Sequence, residues 1–107
     1  MTDLMTVSIA CADADEAGRI ADLLVAHKLA ACVQSASIHS TYVWQGAVER
    51  AHEVLLTAKT LRDRLDALEA AVKAAHSYEV PEIIAMRIDW ASADYENWLR
   101  ETLASTT

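Results

Sequence analysis

Residues 41–60, TYVWQGAVERAHEVLLTAKT, decide how this chain is read. Aromatic and β-branched residues lead to a break at Gln45-Gly46, and an apolar run through Val54-Leu55-Leu56 follows. This is the pattern of a long β-hairpin. A ribbon of that length, with Tyr42 and Trp44 near its tip, cannot bury both faces against one small domain. Isolated hairpins are marginal in water, so another surface is expected to cover the excess. The hairpin therefore implies assembly with further copies of the chain.

Upstream, Met5, Val7, Ile9 and Cys11 alternate with Thr6, Ser8 and Ala10, the period of a half-buried strand. Asp13, with Glu16 three residues on, reads as the cap of a helix running to about Lys28, with Ala17, Ile20, Ala21 and Leu24 as its apolar stripe. A second strand begins around Ala31-Cys32-Val33. Gln34-Ser35-Ala36-Ser37 predicts a bulge or bend before Ile38 enters the hairpin.

Downstream, the returning strand is expected to end at Lys59, with Thr60 and Asp63 as a capping box opening a second helix. Leu61, Leu65, Leu68, Val72 and Ala75 give that helix an apolar face. Arg62 with Asp66 and Glu69 with Lys73 are i,i+4 pairs on its solvated side. Residues 76–82 form a loop closed by the only proline, Pro81, and residues 83–88 a fourth strand. Ser92 caps a last helix with Tyr95, Trp98, Leu99 and Leu103 on one side. The order βαββαβ, plus a C-terminal helix, interleaves two right-handed crossovers into an α+β, ferredoxin-like sandwich forming a single domain over 1–107. Both helices cover one sheet face, and the other is left bare.

Composition narrows the function. The 107 residues are 53% hydrophobic, which excludes disorder, and carry a formal charge of −7, which argues against nucleic acid because phosphate contact needs clustered Lys and Arg. Cys11 and Cys32 form no CxxC motif, so free thiols in a reducing compartment are expected. The N-terminal apolar run is short, interrupted by Thr6 and Ser8, and preceded by Asp3 rather than a basic residue. No signal peptide or membrane span is expected, and the location read from this is cytoplasmic.

Several motifs then fall in order: Lys28-Leu29-Ala30-Ala31-Cys32-Val33; Tyr42-x-Trp44-x-Gly46; Glu53; Lys59-Thr60; His76-Ser77-Tyr78-Glu79-Val80-Pro81-Glu82; and Tyr95-x-x-Trp98-Leu99. Together they resemble the CutA divalent-cation tolerance proteins, from about Val7 to Leu103. The resemblance implies a ferredoxin-like homotrimer whose sheets face inward. It also implies a response to copper and other divalent metal ions, and a likeness to the PII signalling proteins. Metal-binding members use a cysteine at the position of Cys11 and histidines at the end of the second helix, so Cys11 and His76 are implied ligands. Ser77 stands where the family usually has proline, and Ala75 where some members carry another histidine, which implies a weaker site.

Each candidate residue has a structural and a functional reading. Cys11 and Cys32 are either small buried hydrophobes or, for Cys11, a thiolate partner of His76 for copper, with Glu82 completing the set. His39 and His52 lie on the two arms of the hairpin, in a register that the sequence leaves open. Glu53 and Lys59 share strand parity with Leu55 and Thr57 and so point to one side of the sheet. With Tyr78 and Glu82 they form either an ion-pair network at the trimer interface or, with Lys28 and Trp44, a cleft between subunits for a small anion or metabolite. No glycine-rich phosphate loop, HExxH or catalytic triad spacing is present, so no enzyme is expected. Acylphosphatases share the element order but need an arginine after the first strand, where this chain has Ala12-Asp13-Ala14-Asp15. The expectation is a homotrimer that acts in copper tolerance by binding. Its alternatives are a PII-like module with a ligand in the cleft, and a scaffold for partner proteins.

Overall fold

Alternation of apolar and polar residues sets the first strand, β1 (Leu4–Cys11), whose odd-numbered side chains Met5, Val7, Ile9 and Cys11 are all buried. The computed structural model describes residues 3–104. After β1 come α1 (Ala14–Ala26), β2 (Cys32–Trp44), β3 (Ala47–Leu61), a 3-10 turn (Arg62–Arg64), α2 (Leu65–Ala75), β4 (Ile83–Arg87) and α3 (Ala93–Ala104). The strands form one antiparallel sheet in the order β2-β3-β1-β4. The ferredoxin-like sandwich is the architecture observed.

The hairpin is longer and more regular than the sequence suggests. β2 and β3 pair without interruption from Cys32↔Lys59 to Trp44↔Ala47, so no bulge forms at residues 34–37. Small polar side chains weaken strand propensity there, but the full ladder of backbone hydrogen bonds overrides it. Gln45 (φ 50°) and Gly46 (φ 83°) close the ribbon in two residues with positive φ at both, the geometry that matches strand twist. The ribbon lengthens the molecule to 44 Å along its longest axis and raises the radius of gyration to 14.5 Å, against about 13 Å for a compact chain of this size.

Helix α1 starts at the expected cap, where the Asp13 carboxylate accepts the Glu16 N–H at 2.8 Å. It stops at Ala26, two residues before the expected end. Lys28 takes a left-handed conformation (φ 59°), while Leu29 N–H bonds the Leu24 carbonyl and Lys28 N–H that of Val25. This is a Schellman ending with lysine in the place glycine usually takes. The capping box expected at Thr60 and Asp63 does not form. The Thr60 hydroxyl instead donates to the Leu29 carbonyl at 2.7 Å, the strand continues to Leu61, and α2 begins at Leu65 without a side-chain cap. Of the two ion pairs expected on α2, Lys73–Glu69 forms at 2.9 Å. Ser92 caps α3, accepting the Tyr95 N–H at 3.2 Å.

The core lies between the helices and one sheet face, joining Val7, Ile9 and Cys11, Leu56 and Ala58, Ile20 and Leu24, and Leu68 and Val72. A second cluster, Leu4, Ala31, Leu61, Leu99 and Leu103, seats α3 beside it. The opposite face carries Thr6, Ser8, Leu55, Thr57 and Lys59 with Ile84 and Met86, the last two 54% and 60% exposed.

Candidate metal centre and adjoining cleft

Three elements converge where β1 ends. Cys11 closes β1, Glu16 sits in the first turn of α1, and His76 follows α2. Their ligand atoms, one sulfur, one carboxylate oxygen and one imidazole nitrogen, all lie within 4.8 Å of one another. Cys11 and Glu16 are buried, and the His76 ring is fully covered.

Hydrogen bonds define the state of each donor. His76 Nε2 lies 2.7 Å from the Ala10 carbonyl, which can only accept, while Nδ1 accepts the Tyr78 N–H at 3.0 Å. Nε2 therefore carries a proton, and Nδ1 also lies 3.5 Å from the Glu16 carboxylate. The Glu16 carboxylate accepts Ala12 N–H at 2.9 Å through one oxygen and Ser77 N–H at 2.8 Å through the other. Burial alone would raise its carboxyl pKa, but these bonds and the neighbouring His76 outweigh burial and hold it below the ordinary value. Burial pushes the Cys11 thiol up to about 11, reinforced by the negative charge of Glu16, Glu53 and Asp13. Without a cation, Cys11 is a neutral thiol.

Sulfur, imidazole and carboxylate in one buried cluster fit copper or zinc, and the surrounding negative charge favours a cation over an anion. Glu82, the carboxylate expected to complete the set, is not part of it. The sequence had assigned Glu16 only to helix capping, and its second task shows once α1 and α2 pack together.

A cavity of about 700 Å³ adjoins the cluster, between the hairpin and the loop that follows α2. Ala10, Ser77 and Tyr78 line it, so the same loop residues whose N–H groups hold Glu16 and His76 form its wall. Tyr42 and Trp44 of the hairpin line it too, along with Glu53, Glu79 and Glu82. Glu53 is buried, and its carboxylate accepts the Tyr78 hydroxyl at 2.8 Å. Burial, then this bond, keeps the phenol protonated well above the usual tyrosine range.

The expected polar group is thus divided. Trp44, Glu53, Tyr78 and Glu82 meet at the cavity, whereas Lys59 donates to Gln34 at 2.8 Å and Lys28 belongs to the turn after α1, its carbonyl accepting Arg64 Nε at 3.2 Å. Glu53 and Lys59 are six residues apart on one strand, about 20 Å, too far to pair within a chain. Among the described residues, no lysine or arginine lines the cavity.

The CutA1 divalent ion tolerance protein family model matches residues 5–102. The chain belongs to the CutA1 family. A divalent-cation tolerance protein CutA from Thermus thermophilus is 45% identical over 83 residues, 77% of this chain and 81% of its own length. Protein CutA 1, chloroplastic, from rice is 45% identical over 89 residues, 81% of this chain, which spans only half the length of that relative. Among solved structures, the periplasmic divalent cation tolerance protein CutA of Archaeoglobus fulgidus superposes with a TM-score of 0.92 at 35% identity, covering 94% of this chain and 98% of its own. No helix among the described residues is long and apolar enough to cross a membrane. Of these relatives, the rice protein is named chloroplastic and the Archaeoglobus protein periplasmic.

Proposed function

We propose that this CutA1 protein acts in divalent-cation tolerance as a homotrimer that binds copper at Cys11, Glu16 and His76. The observation that carries this is the buried S, N, O donor set, with its ligand atoms within 4.8 Å. Glu53, Glu79 and Glu82 give the adjoining cavity the charge to draw cations from solvent. The loop between them acts as a door. Its Ser77 and Tyr78 N–H groups occupy a Glu16 oxygen and His76 Nδ1, so one outward movement frees both ligands at once. Ligand release by backbone motion needs a loop with some freedom, which Ser77 provides in the place of the family's usual proline.

The protein binds and does not catalyse, in keeping with the commitment of both His76 nitrogens to hydrogen bonds. Trimer formation is supported by the exposed apolar side chains of the bare sheet face. A cytoplasmic location is supported by two free cysteines, which suit a reducing compartment. Calorimetric Cu(I) titration under reducing conditions tests the site. Wild type is expected to bind, with Cys11→Ser, Glu16→Gln and His76→Ala each weakened at least tenfold. Equal titration by all four would overturn copper binding at this cluster.

The cavity favours a second reading, a PII-like module with a small ligand at Tyr42, Trp44 and Tyr78. Three glutamates at the cavity support a cationic ligand there. A thermal-shift screen of organic cations, repeated on Glu53→Gln, separates this from metal binding alone.

A further inference from the structure

The continuous register settles a question the sequence left open. His39 and His52 are direct cross-strand partners, five rungs from the tip pair Trp44↔Ala47 toward the sheet, with the pair Thr41↔Arg50 between. Their ring centroids are 4.2 Å apart and the planes meet at 62°. Both side chains are exposed, and neither has a hydrogen-bond partner among the described residues. By strand parity they share a face with Val33 and Val54, the side that packs on the helices. The cavity glutamate Glu53 and Tyr42 and Trp44 lie on the opposite face. The pair is therefore separate from both the cleft and the Cys11 cluster.

We infer that the hairpin carries a second metal site, in which His39 and His52 chelate one borderline divalent transition-metal ion through one ring nitrogen each. Bonds of about 2.0–2.1 Å to imidazole place two such nitrogens about 3 Å apart on one ion. Opposed Cβ atoms on neighbouring strands sit about 4.5–5.5 Å apart, so side-chain torsions alone bring the rings into position. The backbone register has already met the entropic cost of bringing the ligands together. Imidazole pairs suit Ni(II), Cu(II) and Zn(II) and discriminate against Mg(II) and Ca(II), which need oxygen ligands. Solvent fills the remaining coordination positions. Arg50, two residues nearer the tip on the same face, keeps the affinity moderate through its charge.

Edge-on stacking of the two rings would also suit a simple cross-strand contact, and metal binding distinguishes the two. Ni(II) is titrated calorimetrically into the intact wild-type protein, His39→Ala, His52→Ala, the double variant and Cys11→Ser. Each single histidine change is expected to weaken Ni(II) binding at least tenfold. The double variant is expected to bind no more weakly than either single one, because chelation is already lost. Cys11→Ser is expected to match wild type, and Ni(II) to raise the melting temperature of wild type but not of the histidine variants. His39→Asn and His52→Asn repeat the test should an alanine variant lose its native circular dichroism. Equal Ni(II) binding by wild type and the histidine variants would overturn the site, as would absence of binding to wild type at submillimolar Ni(II). Loss of binding in Cys11→Ser would assign the ion to the buried cluster instead. The Cu(I) titration stands or falls on Cys11 and not on these histidines, so either site can fail alone.

Discussion

Glu16 shows how one residue can serve two ends of a chain. Its carboxylate bonds the backbone before α1, at Ala12, and the backbone after α2, at Ser77. Hydrogen bonds to a buried charge are worth about 1.5–3 kcal/mol each, so Glu16→Gln is expected to destabilise the metal-free protein by about 2 kcal/mol in urea unfolding. The sign with pH follows from its lowered pKa. The contribution is complete above the ordinary value of 4.5 and is lost as pH falls through the lower folded-state value. Glu16→Gln is therefore expected to flatten the acid limb of the stability profile while leaving the alkaline limb unchanged. An unaltered acid limb would refute the assignment. At this scale the sequence was only half legible. Cys11 and His76 are named as ligands by the family resemblance, whereas capping chemistry already accounted for Glu16. Lys28 and Lys59 do not line the cavity of the single chain, because only the fold shows which way a charged residue faces.

Elements with strong periodicity were read well, and their ends less so. The β1 alternation, the α1 cap at Asp13, the break at Gln45-Gly46 and the Ser92 cap all appear where their chemistry places them. Long-range contacts won at the remaining boundaries. Thr60 looks like a helix cap in sequence, but the Leu29 carbonyl, thirty-one residues away, claims its hydroxyl and keeps it in the strand. Residues 34–37 look like an interruption, yet a paired neighbour on β3 holds them in register. The early stop of α1 offers a test. Lysine in the left-handed region costs about 1–2 kcal/mol, part of which glycine recovers against its greater freedom when unfolded. Lys28→Gly is therefore expected to raise stability by up to about 1 kcal/mol in chemical denaturation. A loss of stability would mean that the Lys28 side chain contributes more than its backbone strain removes.

At the scale of the whole molecule, the second face of the sheet is covered only at its Leu4–Leu61 end, by α3. Tyr42, Trp44, Ile84 and Met86 stay exposed in a single chain, and the hairpin reaches beyond the body that supports it. The proposed trimer would cover such a surface and couple unfolding to dissociation, so the melting temperature is expected to rise with protein concentration. Sedimentation equilibrium at micromolar concentration is expected to give three times the chain mass. Trp44→Ala is expected to weaken association by about 3–5 kcal/mol, as for other large aromatic truncations in packed interiors. A well-folded monomer with a concentration-independent melting temperature would refute the trimer. The sheet order has one more effect. β2 is an outer strand thirteen residues long, and its sequence, CVQSASIHSTYVW, contains no Lys, Arg, Asp, Glu or Pro. Proteins ordinarily guard such a margin with charge, proline or a short length, because its unpaired backbone groups template further strands. Chains held apart by dilution or by an interface mutation would thus present a ready seed for fibrils. Quaternary structure in this protein would then be a safeguard against amyloid as well as a platform for metal ions.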